Sequence, residues 1–266
     1  MIHVLSCISE RHDARLVILA ALICHFACHT VLGLLSRARE SGAFRRHLLT
    51  AAAAMVTGCG VWATHFIAML SFESCLPIGY DFWLTCSSII IVSLILWLGF
   101  TIWLIGPGWM TAGAAIVGSG VAAMHFIGMA ALIVPASLSY DTTTVFSSLM
   151  FEMCLTIAAL HILSRGDDLR HRVGGAGIFA LGVCILHFIG MSAAVLEPTT
   201  DMAGYAAPVA PYWLASAISA VTVTIIASGM LVSLVDQHHA RHSSREADRL
   251  RAYVSDLEAT REIGRA

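Results

Sequence analysis

Residues 82–140 read FWLTCSSIIIVSLILWLGFTIWLIGPGWMTAGAAIVGSGVAAMHFIGMAALIVPASLSY, an unbroken run without Asp, Glu, Lys or Arg. About 20 mainly apolar residues cross a bilayer as a helix, so this run has room for two crossings. Gly106-Pro107-Gly108 breaks it where the turn between them is needed. Working outward, the residues between Arg15 and Arg37, Arg46 and Glu73, Arg172 and Glu197, and Asp201 and Asp236 are equally free of those charges. The fold expected is all-α, a bundle of seven transmembrane helices: Leu16–Leu35, Leu48–Leu70, Leu84–Leu104, Met110–Ile133, Thr144–Leu163, Val173–Val195 and Trp213–Val235. Helices are the reading for segments this long because backbone polar groups have no water to bond in hydrocarbon.

Composition agrees. Of 266 residues, 58% are hydrophobic and 12% charged, against about 25% charged in an average soluble domain. A soluble enzyme is excluded. The net charge of -2 offers no basic patch for nucleic acid. All 15 basic residues are Arg, which removes Schiff-base and P-loop lysine chemistry. The first apolar run follows Glu10, Arg11, Asp13 and Arg15 and has full span length, so no cleavable signal peptide is expected.

The arginines set the orientation. Four lie in Arg37–His47, three in Arg165–Arg172 and six after Val235, whereas the opposite side has only Arg11 and Arg15. The positive-inside rule then places the N-terminus outside and the C-terminus in the cytoplasm. Cys7 and Cys75 both fall outside on this topology, where a disulfide between them would be permitted. Past the last span, Ala247, Leu250, Val254 and Leu257 are spaced as in a coiled-coil seam. A short helix there would provide a homodimer contact, with a solvated amphipathic helix as the plainer reading. Residues 1–240 are thus expected to form the membrane domain and 241–266 a cytoplasmic helical linker, with an output domain lying outside this chain.

Three of the expected helices repeat one phrase. The second contains Gly60-Val61-Trp62-Ala63-Thr64-His65-Phe66-Ile67-Ala68-Met69, the fourth Gly120-Val121-Ala122-Ala123-Met124-His125-Phe126-Ile127-Gly128-Met129, and the sixth Gly182-Val183-Cys184-Ile185-Leu186-His187-Phe188-Ile189-Gly190-Met191. Each Met follows its His by four, and residues i and i+4 share a helix face. His65, His125 and His187 would lie roughly 8–12 Å below the outer surface at about 1.5 Å per residue. Imidazole and thioether together suit copper, above all Cu(I), better than a hard cation. The metal set expected is therefore His65, Met69, His125, Met129, His187 and Met191. Three other readings stand beside it: histidines hydrogen-bonded as packing residues, a proton relay, and bis-His ligation of haem. His25 and His29 on the first helix and Met124 are accessory candidates. Glu152 is the lone acidic residue inside a span, where a carboxylate is costly and usually paired; it could orient a His ring from outside the ligand set.

The triple phrase, read with the seven spans, resembles the MHYT domain, whose motif is Met-His-Tyr-Thr, often continued by Gly-Met. Every His and every trailing Met is present here; the leading Met survives only as Met124, with Phe and Ile replacing Tyr and Thr. The resemblance covers roughly residues 10–240. It implies a non-enzymatic sensor module of the bacterial inner membrane, binding copper through these His and Met residues. It also implies a diatomic gas (oxygen, carbon monoxide or nitric oxide) as signal, and fused output domains such as diguanylate cyclase, phosphodiesterase or histidine kinase. A redox change or copper itself would serve equally as the signal. A copper or ion transporter, or a haem or metal redox protein, is the alternative built on the same histidines.

Overall fold

The computed structural model describes residues 12–72, 78–166, 168–198, 213–225 and 227–228. The chain divides into two units at residue 226, and everything below concerns the first. Six helices are long and apolar enough to cross a membrane: α1 (Ala14–Glu40), α2 (Ala43–Leu70), α3 (Phe82–Trp103), α4 (Met110–Ala130), α5 (Thr142–Arg165) and α6 (Leu169–Ala193). A shorter apolar helix, α7, occupies Trp213–Ile225; beyond it, residues 226 and 229–235 of the expected seventh span lie outside the described residues. So do the coiled-coil tail and the Cys7–Cys75 pair.

The six helices form three hairpins, and the same residues start and close each one. Asp13, Asp81 and Asp141 cap α1, α3 and α5, accepting from the backbone N–H of Arg15, Leu84 and Thr144. An Asp at this position satisfies an orphan N–H and complements the helix dipole. The N–H of each capping Asp then reaches the end of the hairpin's second helix: Asp13 donates to the Ser71 carbonyl at 2.9 Å, Asp81 to Ala131 at 2.8 Å and Asp141 to Ala193 at 2.9 Å. Just beyond, the feet zip together as antiparallel strands. His12 bridges Phe72, β1 (Gly79–Tyr80) pairs β2 (Leu132–Ile133), and β3 (Ala136–Tyr140) pairs β4 (Ala194–Pro198).

These strands shorten two expected helices. The sequence predicts helix over Met110–Ile133, but α4 stops at Ala130; Val173–Val195 likewise gives way to strand after Ala193. Long-range pairing across the hairpin wins over the local apolar run. At the opposite end, Gly106 takes a φ of 154° between α3 and α4, ahead of a 3-10 turn over Pro107–Trp109. That conformation is open to glycine and strained for side-chain-bearing residues.

Outward faces carry Leu22, Phe26, Ile90, Leu94, Leu98, Phe146, Phe151 and Leu181, all exposed. Hydroxyls on the helices bond back to their own backbone, as Thr57 to Ala53 (2.7 Å) and Thr101 to Trp97 (2.7 Å). Both features suit lipid rather than water. Inside, glycines let helices touch: a Cβ at Gly113 would stand 2.4 Å from the Trp103 backbone nitrogen, clamping α4 on α3. The most enclosed helix is α2, whose apolar window is 89% buried against 28% for α5.

Candidate metal centre

The repeated phrase places one histidine on each of α2, α4 and α6, and the bundle brings all three to one point. His65, His125 and His187 are 2–3% exposed. Nδ1 of His65 lies 3.2 Å from Nδ1 of His187 and 3.2 Å from Nδ1 of His125. The rings meet edge to face, with centroids 5.1, 5.1 and 5.5 Å apart.

Nothing among the described residues satisfies this cluster. The three Nε2 atoms are buried and have no hydrogen-bond partner. A neutral imidazole has one N–H and one lone pair. A proton on Nε2 meets no acceptor, whereas a proton on Nδ1 enters a centre crowded by the other two rings. His65 Nδ1 faces two neighbours and has one site to offer them. Such frustration costs about 1–3 kcal/mol per unsatisfied buried group. A cation at the centre would use all three Nδ1 lone pairs at once and relieve the crowding there, with the protons left on Nε2. With metal–nitrogen bonds of about 2.0–2.1 Å, three imidazoles around one ion stand about 3.3–3.6 Å apart, close to the 3.2 Å seen in two pairs.

Below the rings lies a small cavity of about 10 Å³, lined by Val61, Thr64 and His65, Val121, Met124 and His125, and Val183, Leu186 and His187. These are positions i−4, i−1 and i of each phrase. Side chains on a helix lean back toward its N-terminus, so the imidazoles cover the turn that precedes them. Met124 therefore lines the cavity. Met69, Met129 and Met191 sit one turn on, toward the strand-bearing end, and are not among its lining residues; Met69 and Met129 are buried and Met191 half-buried. On α1, His25 and His29 are half-buried and do not reach the cavity, whereas their neighbours Cys24 and Cys28 point inward.

Glu152 is fully buried on α5 but bonds no histidine. Its Oε1 accepts from Thr156 at 2.8 Å, and Oε2 has no partner among the described residues. Gly118 faces that carboxyl, with room so tight that a Cβ would meet Oε2 at 3.1 Å. Gly118 lies seven residues before His125, about 10 Å along the helix, which separates Glu152 from the ring of imidazoles.

Two residues with a direct part in the site went unread in the sequence. A Cβ on Gly128 would meet His65 Nε2 at 2.5 Å, and a Cβ on Gly190 would meet His125 Nε2 at 2.5 Å. The glycine of each His-Phe-Ile-Gly phrase is thus the seat for the imidazole of the preceding hairpin. Its recurrence three places after the His was the available signal. The adjoining phenylalanines link the hairpins in the same sense: Phe66 packs on Tyr80, Phe126 on Tyr140 and Phe188 on His12, so His12 closes the ring where the other repeats use Tyr. Burial pushes both tyrosine hydroxyls up, and they stay protonated at neutral pH.

Fold and site together define a membrane-helix bundle of three repeated hairpins around a buried imidazole cluster. The chain belongs to the MHYT family: the model described as "Bacterial signalling protein N terminal repeat" matches residues 58–115 and 118–176. It is 32% identical to an uncharacterized signaling protein of Caulobacter vibrioides over 92% of this chain and 31% of that protein. It is 31% identical to the bifunctional diguanylate cyclase/cyclic di-GMP phosphodiesterase MucR of Pseudomonas aeruginosa over 85% of this chain and 34% of the relative. The cyclic di-GMP phosphodiesterase NbdA of the same organism is 30% identical over 70% of this chain and 25% of its own length. The chain thus spans about a third or less of these relatives, and it corresponds to a membrane sensor module rather than to their catalytic parts. No solved structure matches.

Proposed function

We propose that the chain is a metal-binding sensory module whose His65, His125 and His187 hold one ion, copper by preference, near the outer side of a bacterial inner membrane. The observation that carries this reading is the convergence of three buried imidazoles, with Nδ1 of His65 3.2 Å from Nδ1 of both His125 and His187. Met124, which lines the cavity beneath the rings, would add a thioether. Copper ranks above haem because a cavity of about 10 Å³ between rings 5.1–5.5 Å apart leaves no space for a macrocycle. Transport is disfavoured because the cavity continues into Val61, Val121 and Val183 rather than a polar path.

When bound, copper would supply a centre whose ligation or redox state responds to oxygen, carbon monoxide, nitric oxide or copper supply. The chain's own residues would carry the response onward. The His65 imidazole rests on the Gly128 backbone and His125 on Gly190, so displacing one ring pushes on the next helix. The seventh span would pass that shift to a helical tail, a homodimer contact, and a cytoplasmic output domain. The activities named for two relatives, MucR and NbdA, make cyclic di-GMP turnover the expected output class. In this account the N-terminus lies outside and all seven spans cross the bilayer.

Metal analysis of the purified chain tests the reading. Wild type should retain copper, and the triple variant His65→Ala, His125→Ala, His187→Ala should lose the triad's ion. Equal copper in both would overturn it.

A further inference from the structure

Next to the imidazole cluster lies a group of thiols that the sensory reading leaves unused. Cys24 and Cys28 stand at i, i+4 on α1 and are 1% and 2% exposed. The Cys24 thiol lies within hydrogen-bond reach of the Cys28 thiol and of the Thr64 hydroxyl. Cys184 of α6 is close enough to Cys24 to interact with it electrostatically. Thr64 also lines the histidine cavity, so one side chain touches both places. The helices close tightly here: a Cβ on Gly60 of α2 would stand 2.5 Å from the Ala27 Cβ, holding α1 and its thiols against the site.

Two adjacent thiols fixed on one helix face, shielded from water, are a donor pair for a soft monovalent ion. Metal–sulfur bonds of about 2.3 Å let a two-coordinate ion span sulfurs about 4.6 Å apart, a spacing that small rotamer changes at i, i+4 can reach. We propose that Cys24 and Cys28 form a second metal site, specific for Cu(I). Binding breaks two S–H bonds, forms two copper–sulfur bonds and releases two protons; no electron is transferred. The product carries one negative charge. In a low-dielectric interior a lone charge is costly, and Cu(I) on three neutral imidazoles carries one positive charge on the other side of Thr64. That charge pairing rests on the triad reading; the affinity of the thiols does not.

The test loads the reduced full chain with Cu(I) under anaerobic conditions, counts copper per chain and records the thiolate–Cu(I) luminescence. Wild type should hold two ions and show the band. Cys24→Ala with Cys28→Ala should hold one and lose the band, while the triple histidine variant should hold one and keep it. Wild type without the band, or a band retained in the double cysteine variant, overturns the proposal. Loss of ions from the histidine variant alone leaves the thiol site standing, so the two readings fail separately. Melting of C24A/C28A and of C24S/C28S beside wild type detects misfolding, and the wild-type band decides independently of either.

Discussion

Replacing Gly128 by alanine probes the seat of an imidazole without touching a ligand. The new Cβ would stand 2.5 Å from His65 Nε2 and 2.8 Å from its Cδ2, where ordinary contact begins near 3.4 Å. About 0.9 Å of overlap must be relieved by moving the ring, since the glycine lies on the backbone of α4. Metal–ligand distances tolerate about 0.2 Å, so His65 leaves its bonding position. Small-to-large changes in packed cores cost about 1–3 kcal/mol, and disturbing groups that orient ligands lowers metal affinity about 10–100-fold. Competition titration of Cu(I) against a chelator, on protein lacking the Cys24 and Cys28 thiols, should show that loss. The control is Gly177→Ala on α6, where no atom lies within 4 Å of the new Cβ; it should leave affinity unchanged and raise the melting temperature slightly. Wild-type affinity in G128A would refute the seating argument.

Other expectations follow from the same contacts. Glu152→Gln should leave the triad's copper unchanged, because the carboxyl bonds Thr156 and no histidine; copper loss in E152Q would place it in the site after all. Asp141 accepts from the Thr144 hydroxyl and backbone N–H, and these bonds hold its carboxyl below the usual range. Its folded-state value lies below its unfolded one, so its stabilisation is complete above about pH 4 and fades as pH falls through the lower folded value. Asp141→Asn should therefore lower the melting temperature at pH 7 and reduce the stability lost between neutral and acid pH, read by thermal melts across pH. Acidification should also release triad copper, because protons compete with the ion for the imidazole nitrogens.

The apolar runs made the helices legible, since lipid demands length and hydrophobicity and little else. Gly106-Pro107-Gly108 marked a turn for local reasons, and the structure has one there. The hairpin feet were hidden because Leu132, Ile133 and Val195 read as apolar helix until their pairing partners, more than 50 residues away in sequence, are known. The three capping aspartates were visible as residues but not as a repeat, because His12 stands where Tyr80 and Tyr140 recur. Within the site, the histidines were found from spacing. The i+4 rule also pointed to Met69, Met129 and Met191; the lean of helical side chains toward the N-terminus puts positions i−1 and i−4 in the cavity lining, where Met124 supplies a thioether. Gly128 and Gly190 read as ordinary membrane packing residues; only the neighbouring helix reveals what they hold.

The most direct measurement is X-ray absorption at the copper edge of the Cu(I)-loaded chain carrying Cys24→Ala and Cys28→Ala. The account predicts imidazole scattering from three nitrogens at about 2.0 Å, abolished in the same protein carrying His65→Ala, His125→Ala and His187→Ala. Copper without imidazole scattering, or an unchanged spectrum in that variant, would contradict a metal centre at the heart of the three hairpins.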